Sequence, residues 1–220
     1  EGFLFRSTDN GATWIDKSGF TANMIYDLCG DPGNPNNFYA CNYAGVWRSR
    51  DGGDTWAKNN GWAGGYALNV DAAHTNTVYA GYYNSVFKSI DGGLNWTYLY
   101  EGLTGSICDF IFACDQIVFY ASLNGLGRSG DAGEHWTSSN LGLNFTSIQV
   151  LKLVPGDPNT LFAAVNNQTL MKTTQAMAKP DGSGTVSWEQ IPKFFTCTTL
   201  NDLYISPTDP GYMLALEGGG

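Results

Sequence analysis

Apolar and polar residues alternate along this chain in short runs, and three of these runs return in a fixed order. The first reads apolar-x-polar-apolar: Ile25-Tyr26-Asp27-Leu28, Ala67-Leu68-Asn69-Val70, Ile107-Cys108-Asp109-Phe110, Val150-Leu151-Lys152-Leu153 and Leu200-Asn201-Asp202-Leu203. A segment rich in Asp, Pro, Gly and Asn follows, as in Asp31-Pro32-Gly33-Asn34-Pro35 and Gly156-Asp157-Pro158-Asn159. Such residues favour tight reversal of the chain. The second run pairs an aromatic with alanine: Tyr39-Ala40, Tyr79-Ala80, Tyr120-Ala121 and Phe162-Ala163, with Leu214-Ala215 as a variant. The third ends on a basic residue and a hydroxyl: Leu4-Phe5-Arg6-Ser7, Val46-Trp47-Arg48-Ser49, Val86-Phe87-Lys88-Ser89, Leu126-Gly127-Arg128-Ser129 and Leu170-Met171-Lys172-Thr173. Runs this short and regular predict half-buried strands rather than helices.

Each of the first four third-type runs opens into Ser-x-Asp-x-Gly-x-x-Trp. The copies are Ser7/Asp9/Gly11/Trp14, Ser49/Asp51/Gly53/Trp56, Ser89/Asp91/Gly93/Trp96 and Ser129/Asp131/Gly133/Trp136, their aspartates 42, 40 and 40 residues apart. That period suits one four-stranded propeller blade per repeat. Strands A, B and C are then the three runs, the box is the C–D turn, and strand D begins at the tryptophan. The Asp accepts N–H bonds of its own loop, the Gly takes positive φ, and the Trp buries its ring against the next blade. In the fifth repeat the spacing from Trp136 to Trp188 grows to 52, and Ala176 to Val186 replaces the compact box with a longer loop.

The predicted fold is all-β: one β-propeller domain over residues 1–220, of four-stranded antiparallel blades with five repeats. The repeats span about 1–15, 22–57, 66–97, 106–137, 147–189 and 199–217. The first contributes strands C and D (Phe3 to Ile15) and the last contributes A and B (Leu200 to Glu217). Two arrangements follow: a closed five-bladed ring, or, as we favour, a window from a ring of six to eight blades.

Composition narrows the function classes. The net charge of −9 argues against nucleic acid, whose phosphates need clustered Lys and Arg. No apolar run reaches membrane-spanning length. The five cysteines (Cys29, Cys41, Cys108, Cys114, Cys197) have no CxxC spacing, and with only His74 and His135 no metal site or cofactor is expected. Cys29 and Cys41 flank a turn and either pair or stand as small buried strand residues. Three sequons, at Asn95, Asn144 and Asn167, fit a secreted or cell-surface protein.

On the four boxes, the chain resembles the Asp-box, or bacterial neuraminidase repeat, family of β-propellers, found in sialidases, family 74 xyloglucanases, sortilin-type receptors and secreted bacterial surface proteins. The resemblance implies boxes on the outer rim, away from the ligand face, and so a structural role for Asp9, Asp51, Asp91 and Asp131 with Trp14, Trp56, Trp96 and Trp136. It also implies three functions: a binding or assembly module for carbohydrate or protein, a family 74-like endo-β-glucanase fragment acting with inversion, or a subunit of an extracellular layer assembling through edge strands. A sialidase would need converging arginines, whereas Arg6, Arg48 and Arg128 occupy equivalent places around the rim.

Candidate site residues then lie in the D–A and B–C loops. Trp62, Tyr43, Tyr82, Tyr83 and Tyr100, with Asn42, Asn84 and Asn124, combine rings that stack on sugars with amides that bond hydroxyls. An inverting hydrolase needs two carboxylates about 6.5–9.5 Å apart, for which Glu217, preceding Gly218-Gly219, with Glu101 or Asp16, are the candidates. The polar positions of strand A, Asp27, Asn69, Asp109, Lys152 and Asp202, are expected to form a ring near the channel.

Overall fold

The computed structural model describes residues 4–17, 24–59, 61, 64–99, 110–122, 124–143, 147–165, 169–176, 186–192 and 199–218. The chain divides into two compact units, one of residues 1–100 with 111–115, the other of residues 101–110 with 116–220. The first unit opens with a two-stranded sheet, β1 (Phe5–Arg6) and β2 (Ile15–Asp16). Two antiparallel meanders follow. One is β3 (Asp27–Asp31), β4 (Asn34–Asn42), β5 (Gly45–Ser49) and β6 (Ala57–Lys58); the other is β7 (Ala67–Val70), β8 (Val78–Tyr82), β9 (Ser85–Ser89) and β10 (Thr97–Leu99). Strand β11 (Phe110–Cys114) falls at the division between the units. The second unit then holds β12 (Ile117–Ser122), β13 (Gly125–Ser129) and β14 (Thr137–Ser138). Its next meander is β15 (Ile148–Val154), β16 (Asp157–Val165), β17 (Thr169–Thr173) and β18 (Glu189–Gln190), and the hairpin β19 (Thr199–Ile205) and β20 (Met213–Gly218) ends it. The strands pair in chain order within each meander, as a propeller blade requires.

Cores form where one meander faces the next. Tyr39, Cys41 and Val46 of β4–β5 pack against Leu68, Val70, Val78, Ala80 and Phe87 of β7–β9. In the second unit Val150, Phe162, Ala164 and Leu170 pack against Leu200, Leu203 and Ile205.

The C–D turns are held by a network that recurs in all four boxes. Each Ser Oγ donates to its Asp Oδ1 at 2.7–2.8 Å, and accepts the Gly N–H at 2.7–2.9 Å. The second carboxylate oxygen is met by the residue just before the Trp, whatever its type: the hydroxyls of Thr13 and Thr55, the amide of Asn95, and the ring of His135. The sequon at Asn95 therefore overlaps a box contact. These bonds force two successive left-handed residues, Asn10-Gly11, Gly52-Gly53, Gly92-Gly93 and Ala132-Gly133 (φ from 57° to 92°), a conformation that glycine adopts without Cβ strain. The Trp rings of the first three boxes fold back over that glycine, each Nε1–H donating to its carbonyl at 3.1–3.2 Å. Burial against a neighbour is thus not what the four rings share, since Trp136 is buried while Trp14 is largely exposed.

The basic residue before the box has a defined partner. Arg6 donates to the Gly52 carbonyl at 2.8 Å and Arg48 to that of Gly92 at 2.7 Å, in each case the first left-handed residue of the following box. Arg128 reaches the Ala176 carbonyl at 3.3 Å, so the fifth repeat, which lacks the aspartate, keeps the same peptide in place. The N–H groups of Gly52, Gly92, Ala132 and Ala176 donate back to the A–B turns at Asn36, Asn76, Gln116 and Asn159 (2.7–2.9 Å). Hydrogen bonds to charged donors contribute about 1.5–3 kcal/mol each.

Register corrects two sequence alignments. In β4, β8 and β16 the alanine of the aromatic-Ala pair lies opposite a bulky residue: Ala40 opposite Trp47, Ala80 opposite Phe87, Ala163 opposite Met171. In β12 it is Phe119 that lies opposite Arg128, and Tyr120 opposite Gly127. The pair is therefore Phe119-Tyr120, one residue earlier than the run suggests, and the large and small positions are exchanged between strands. A Cβ on Gly127 would fall 2.0 Å from the Tyr120 ring. In strand A, Leu28 and Leu68 are equivalent, facing Ala40 and Ala80. Asp27 and Asp202 share one level, each bonding the N–H of the following leucine. Asn69 and Lys152 stand two residues further along, opposite Tyr79 and Phe162. The expected ring thus splits into two tiers, and its members bond across neighbouring meanders: Asp27 accepts the Leu68 N–H at 2.7 Å, and Lys152 pairs with Asp202 at 2.9 Å. Asp109 lies outside the described residues.

Cys29, Cys41 and Cys114 are free thiols; Cys108 and Cys197 lie outside the described residues. Cys29 faces Tyr39 and Cys41 faces Asp27, so the two cysteines are diagonal neighbours on the hairpin rather than a directly opposed pair. Burial raises the pKa of both thiols.

Two outcomes are expected. Gly127→Ala will destabilise the protein by about 1–3 kcal/mol in urea denaturation, and adding Tyr120→Ala will recover part of the loss; additive penalties would contradict the exchanged packing. Hydrogen bonds hold the carboxyls of Asp9 and Asp91 at about 2, those from Thr13 and Asn95 foremost, against an ordinary 3.8. At Asp131 burial acts upward, but bonds from His135 and Ser129 outweigh it and leave the group at about 2. Because these groups are depressed on folding, their stabilisation is complete above pH 4 and is lost as the pH falls from about 4 to about 2. The thermal midpoint should drop across that window, and drop less in Asp91→Asn.

Candidate functional site

At the B–C and D–A end of the first unit, four tyrosines form one continuous patch. Tyr26 and Tyr66 each immediately precede strand A of their meander, and their N–H groups donate to Cys41 and Gly81 of the adjoining strand B. Tyr82 ends β8 and Tyr83 opens the β8–β9 turn, where it takes a left-handed φ of 49°. Tyr66 is the hub. Its ring stacks on Tyr82 at 5.1 Å, meets Tyr83 edge-on at 5.5 Å and lies 5.0 Å from Tyr26, while Tyr82 and Tyr83 are 4.5 Å apart. A hydrogen bond with Tyr83, with burial second, pushes the Tyr66 phenol up to about 12. Burial, then the neighbouring Tyr83, raises Tyr82 as well. Tyr26 (41% exposed) and Tyr83 (49%) present the patch to solvent.

The chain reaches this arrangement through the segment before Tyr66. Gly65 donates its N–H to the Asn42 carbonyl at 2.9 Å. A Cβ at Gly64 would lie 2.7 Å from the Tyr43 carbonyl oxygen, so only glycine lets the D–A loop lie flat on the β4–β5 turn. Beneath the patch the Asp27 carboxylate joins the two meanders by accepting the N–H groups of Leu28 and Leu68 at 2.7–2.8 Å. Tyr26 and Tyr66 are therefore set side by side by backbone bonds on both of their meanders.

Sequence reasoning selected Tyr82 and Tyr83, which the structure brings together, and Asn84, which is exposed beside them. Tyr43 is also exposed, in the β4–β5 turn. Asn42 is a correction: it is fully buried, and its side-chain oxygen accepts the Ala44 N–H at 2.8 Å to close that turn. Asn124 is exposed in the β12–β13 turn of the second unit. Asp16 is exposed in β2 opposite Phe5, and Glu217 lies in β20 opposite Leu200 with its side chain outside the described set. Trp62, Tyr100 and Glu101 lie outside the described residues. Tyr26 and Tyr66 were missed as site residues, although they stand 40 residues apart, one box period. Among the described residues no cluster of His, Cys, Asp and Glu could hold a metal ion, and no helix is long and apolar enough to cross a membrane.

No protein-family model and no curated protein matches the sequence. Solved structures do. An ancestral GH74 enzyme superposes on 94% of this chain with a TM-score of 0.71 and 17% identity, and the GH74 enzyme of Niastella koreensis on 100% with 0.70 and 16%. YCF48 bound to D1 peptide covers 84% with 0.58 and 14%. The chain spans 30%, 48% and 58% of those three chains respectively. Identities this low carry the fold alone: the protein is a β-propeller with multiple blades.

Gly64→Val should cost about 1–3 kcal/mol of stability and reduce the near-ultraviolet tyrosine circular dichroism, since the displaced loop carries Tyr66 away from Tyr82. Unchanged tyrosine dichroism would mean that the glycine does not position the patch.

Proposed function

We propose that this chain is a binding module of a secreted or cell-surface Asp-box propeller, and that the tyrosine patch is its contact surface for a neutral polysaccharide. The observation that carries this reading is the contiguous, uncharged ring surface of Tyr26, Tyr66, Tyr82 and Tyr83, with Asn84 exposed beside it. Ring faces stack on the C–H faces of pyranoses, phenol and amide groups bond the hydroxyls, and rigid aromatics lose little entropy on binding. The net charge of −9 favours a neutral polymer over a polyanion. Binding rather than hydrolysis is favoured because Asp27, the carboxylate next to Tyr26, is already engaged by two backbone N–H groups.

Affinity electrophoresis against xyloglucan, hydroxyethylcellulose and galactomannan tests the proposal. Retardation by at least one is expected, with at least about a tenfold loss of affinity in Tyr66→Ala and Tyr83→Ala and none in Asp9→Asn. Equal retardation of wild type and tyrosine variants, or none with any polymer, would remove carbohydrate from the patch and leave a protein ligand as the reading to pursue.

A further inference from the structure

In each box one residue directly follows the two left-handed ones, and in the second box it is Asp54. Asp54 Oδ1 meets Arg6 at 2.9 Å and Lys17 at 2.6 Å, so one carboxylate oxygen joins two cations. The third box, which follows Arg48, has Leu94 at that position, while the fourth, which follows Lys88, returns to an acid in Glu134. The box of Arg48 also adds a second cation, Arg50, where the others have Thr8, Ile90 and Gly130. The acid is lost where a cation is gained. Arg48 Nη1 donates to the Gly92 carbonyl at 2.7 Å. That nitrogen, Arg50 Nη2 and the Tyr39 hydroxyl all lie 3.5–3.6 Å from the point where a Cβ on Gly92 would stand. Tyr39 is 1% exposed and reaches this point from the interior, whereas Arg50 comes from the exposed turn. Burial, and then the charge of Arg50, lower the Arg48 pKa. Among the described residues no carboxylate forms an ion pair with either arginine, and Asp91, in the adjoining box, is engaged by Ser89, Leu94 and Asn95 of its own turn. The meanders on both sides, β3–β6 and β7–β10, have all four strands.

We infer that Arg48, Arg50 and Tyr39 form a binding site for the carboxylate of an acidic polypeptide segment, one whose acid is flanked by apolar residues. The incoming carboxylate would stand toward Arg48 as Asp54 stands toward Arg6, and two guanidinium forks with a phenol hydroxyl give it convergent donors. Clustered arginines recognise acidic motifs in this way. Ile90 (73% exposed) and Leu94 (38%), in the same turn as Gly92, offer the apolar contact. The net charge of −9 repels a polyanion, which favours a single acid among apolar residues over a polyuronate. No member of this cluster belongs to the tyrosine patch.

The test is an NMR titration of the isotope-labelled full chain at low salt with a peptide bearing one glutamate between two leucines, against its glutamine counterpart. With the glutamate peptide, the Arg50 side-chain N–H and the Gly92 and Gly93 amide signals should move saturably, and those of Tyr66 and Tyr83 should stay in place. The glutamine peptide should bind at least about tenfold more weakly. Arg50→Gln, a change at an exposed position, should weaken the glutamate peptide to the same extent and leave the thermal midpoint unchanged. Gly92→Ala sets a Cβ where the three donors meet and should also weaken it; Ala132 already holds the equivalent left-handed place at a φ of 60°. Absence of saturable movement, equal binding of the two peptides, or undiminished binding by Arg50→Gln would overturn the proposal. So would tighter binding of oligogalacturonate than of the glutamate peptide at the same signals, because the acid would then come from a sugar.

Discussion

The interaction on which the remaining structure depends is the hydrogen bond from the basic residue ending strand C to a carbonyl in the following box, seen at Arg6, Arg48 and Arg128. A backbone carbonyl is free to accept it because the box turns through left-handed residues and points that peptide outward. The turn is stable because one aspartate accepts bonds on both oxygens. Acceptor, turn and carboxylate therefore form one causal sequence, and the arginine conveys it from one meander to the next. The N–H of the same residue also donates to its own A–B turn, which ties the rim of each blade to its inner hairpin. Loss of the aspartate need not break the sequence, as Ala176 shows by keeping both bonds.

That division of labour leaves the other end of the blades available for recognition. With the rim fixed by local bonds, strands A and B arrive at the B–C end in defined register, and Asp27 fastens one strand A to the next. The tyrosines grow from these fixed points: two precede strand A, one ends strand B and one opens the B–C turn. Their mutual contacts therefore need little ordering when a ligand arrives, which is the condition under which a modest surface binds usefully.

Much of this was legible in the sequence because a box that must make a specific set of bonds tolerates few residues. Period, strand order and turn positions followed from it. The failures have a common physical origin. Strand faces repeat every two residues, so apolar runs fix which face is buried more firmly than how far along the strand a residue stands. Asp27 and Asn69 were aligned on the right face and two residues apart, and Tyr120 was matched to Tyr39 when Phe119 holds that place. Tyr26 and Tyr66 escaped as site residues because an aromatic beside a strand reads as core until its neighbours are known. Asn42 had the composition of a ligand contact and the geometry of a turn-former.

The exchange of large and small residues between Tyr120 and Gly127 bears on how such a chain can be rearranged. In three repeats the inner hairpin strand brings the small residue and the outer strand the bulky one; in the repeat of β12 and β13 the roles are reversed. A single strand moved between these repeats would set two bulky side chains opposite each other, or two small ones. The B–C hairpin carries both halves of the match, so it, rather than the strand, is the smallest segment that recombination could pass from one blade to another without damage.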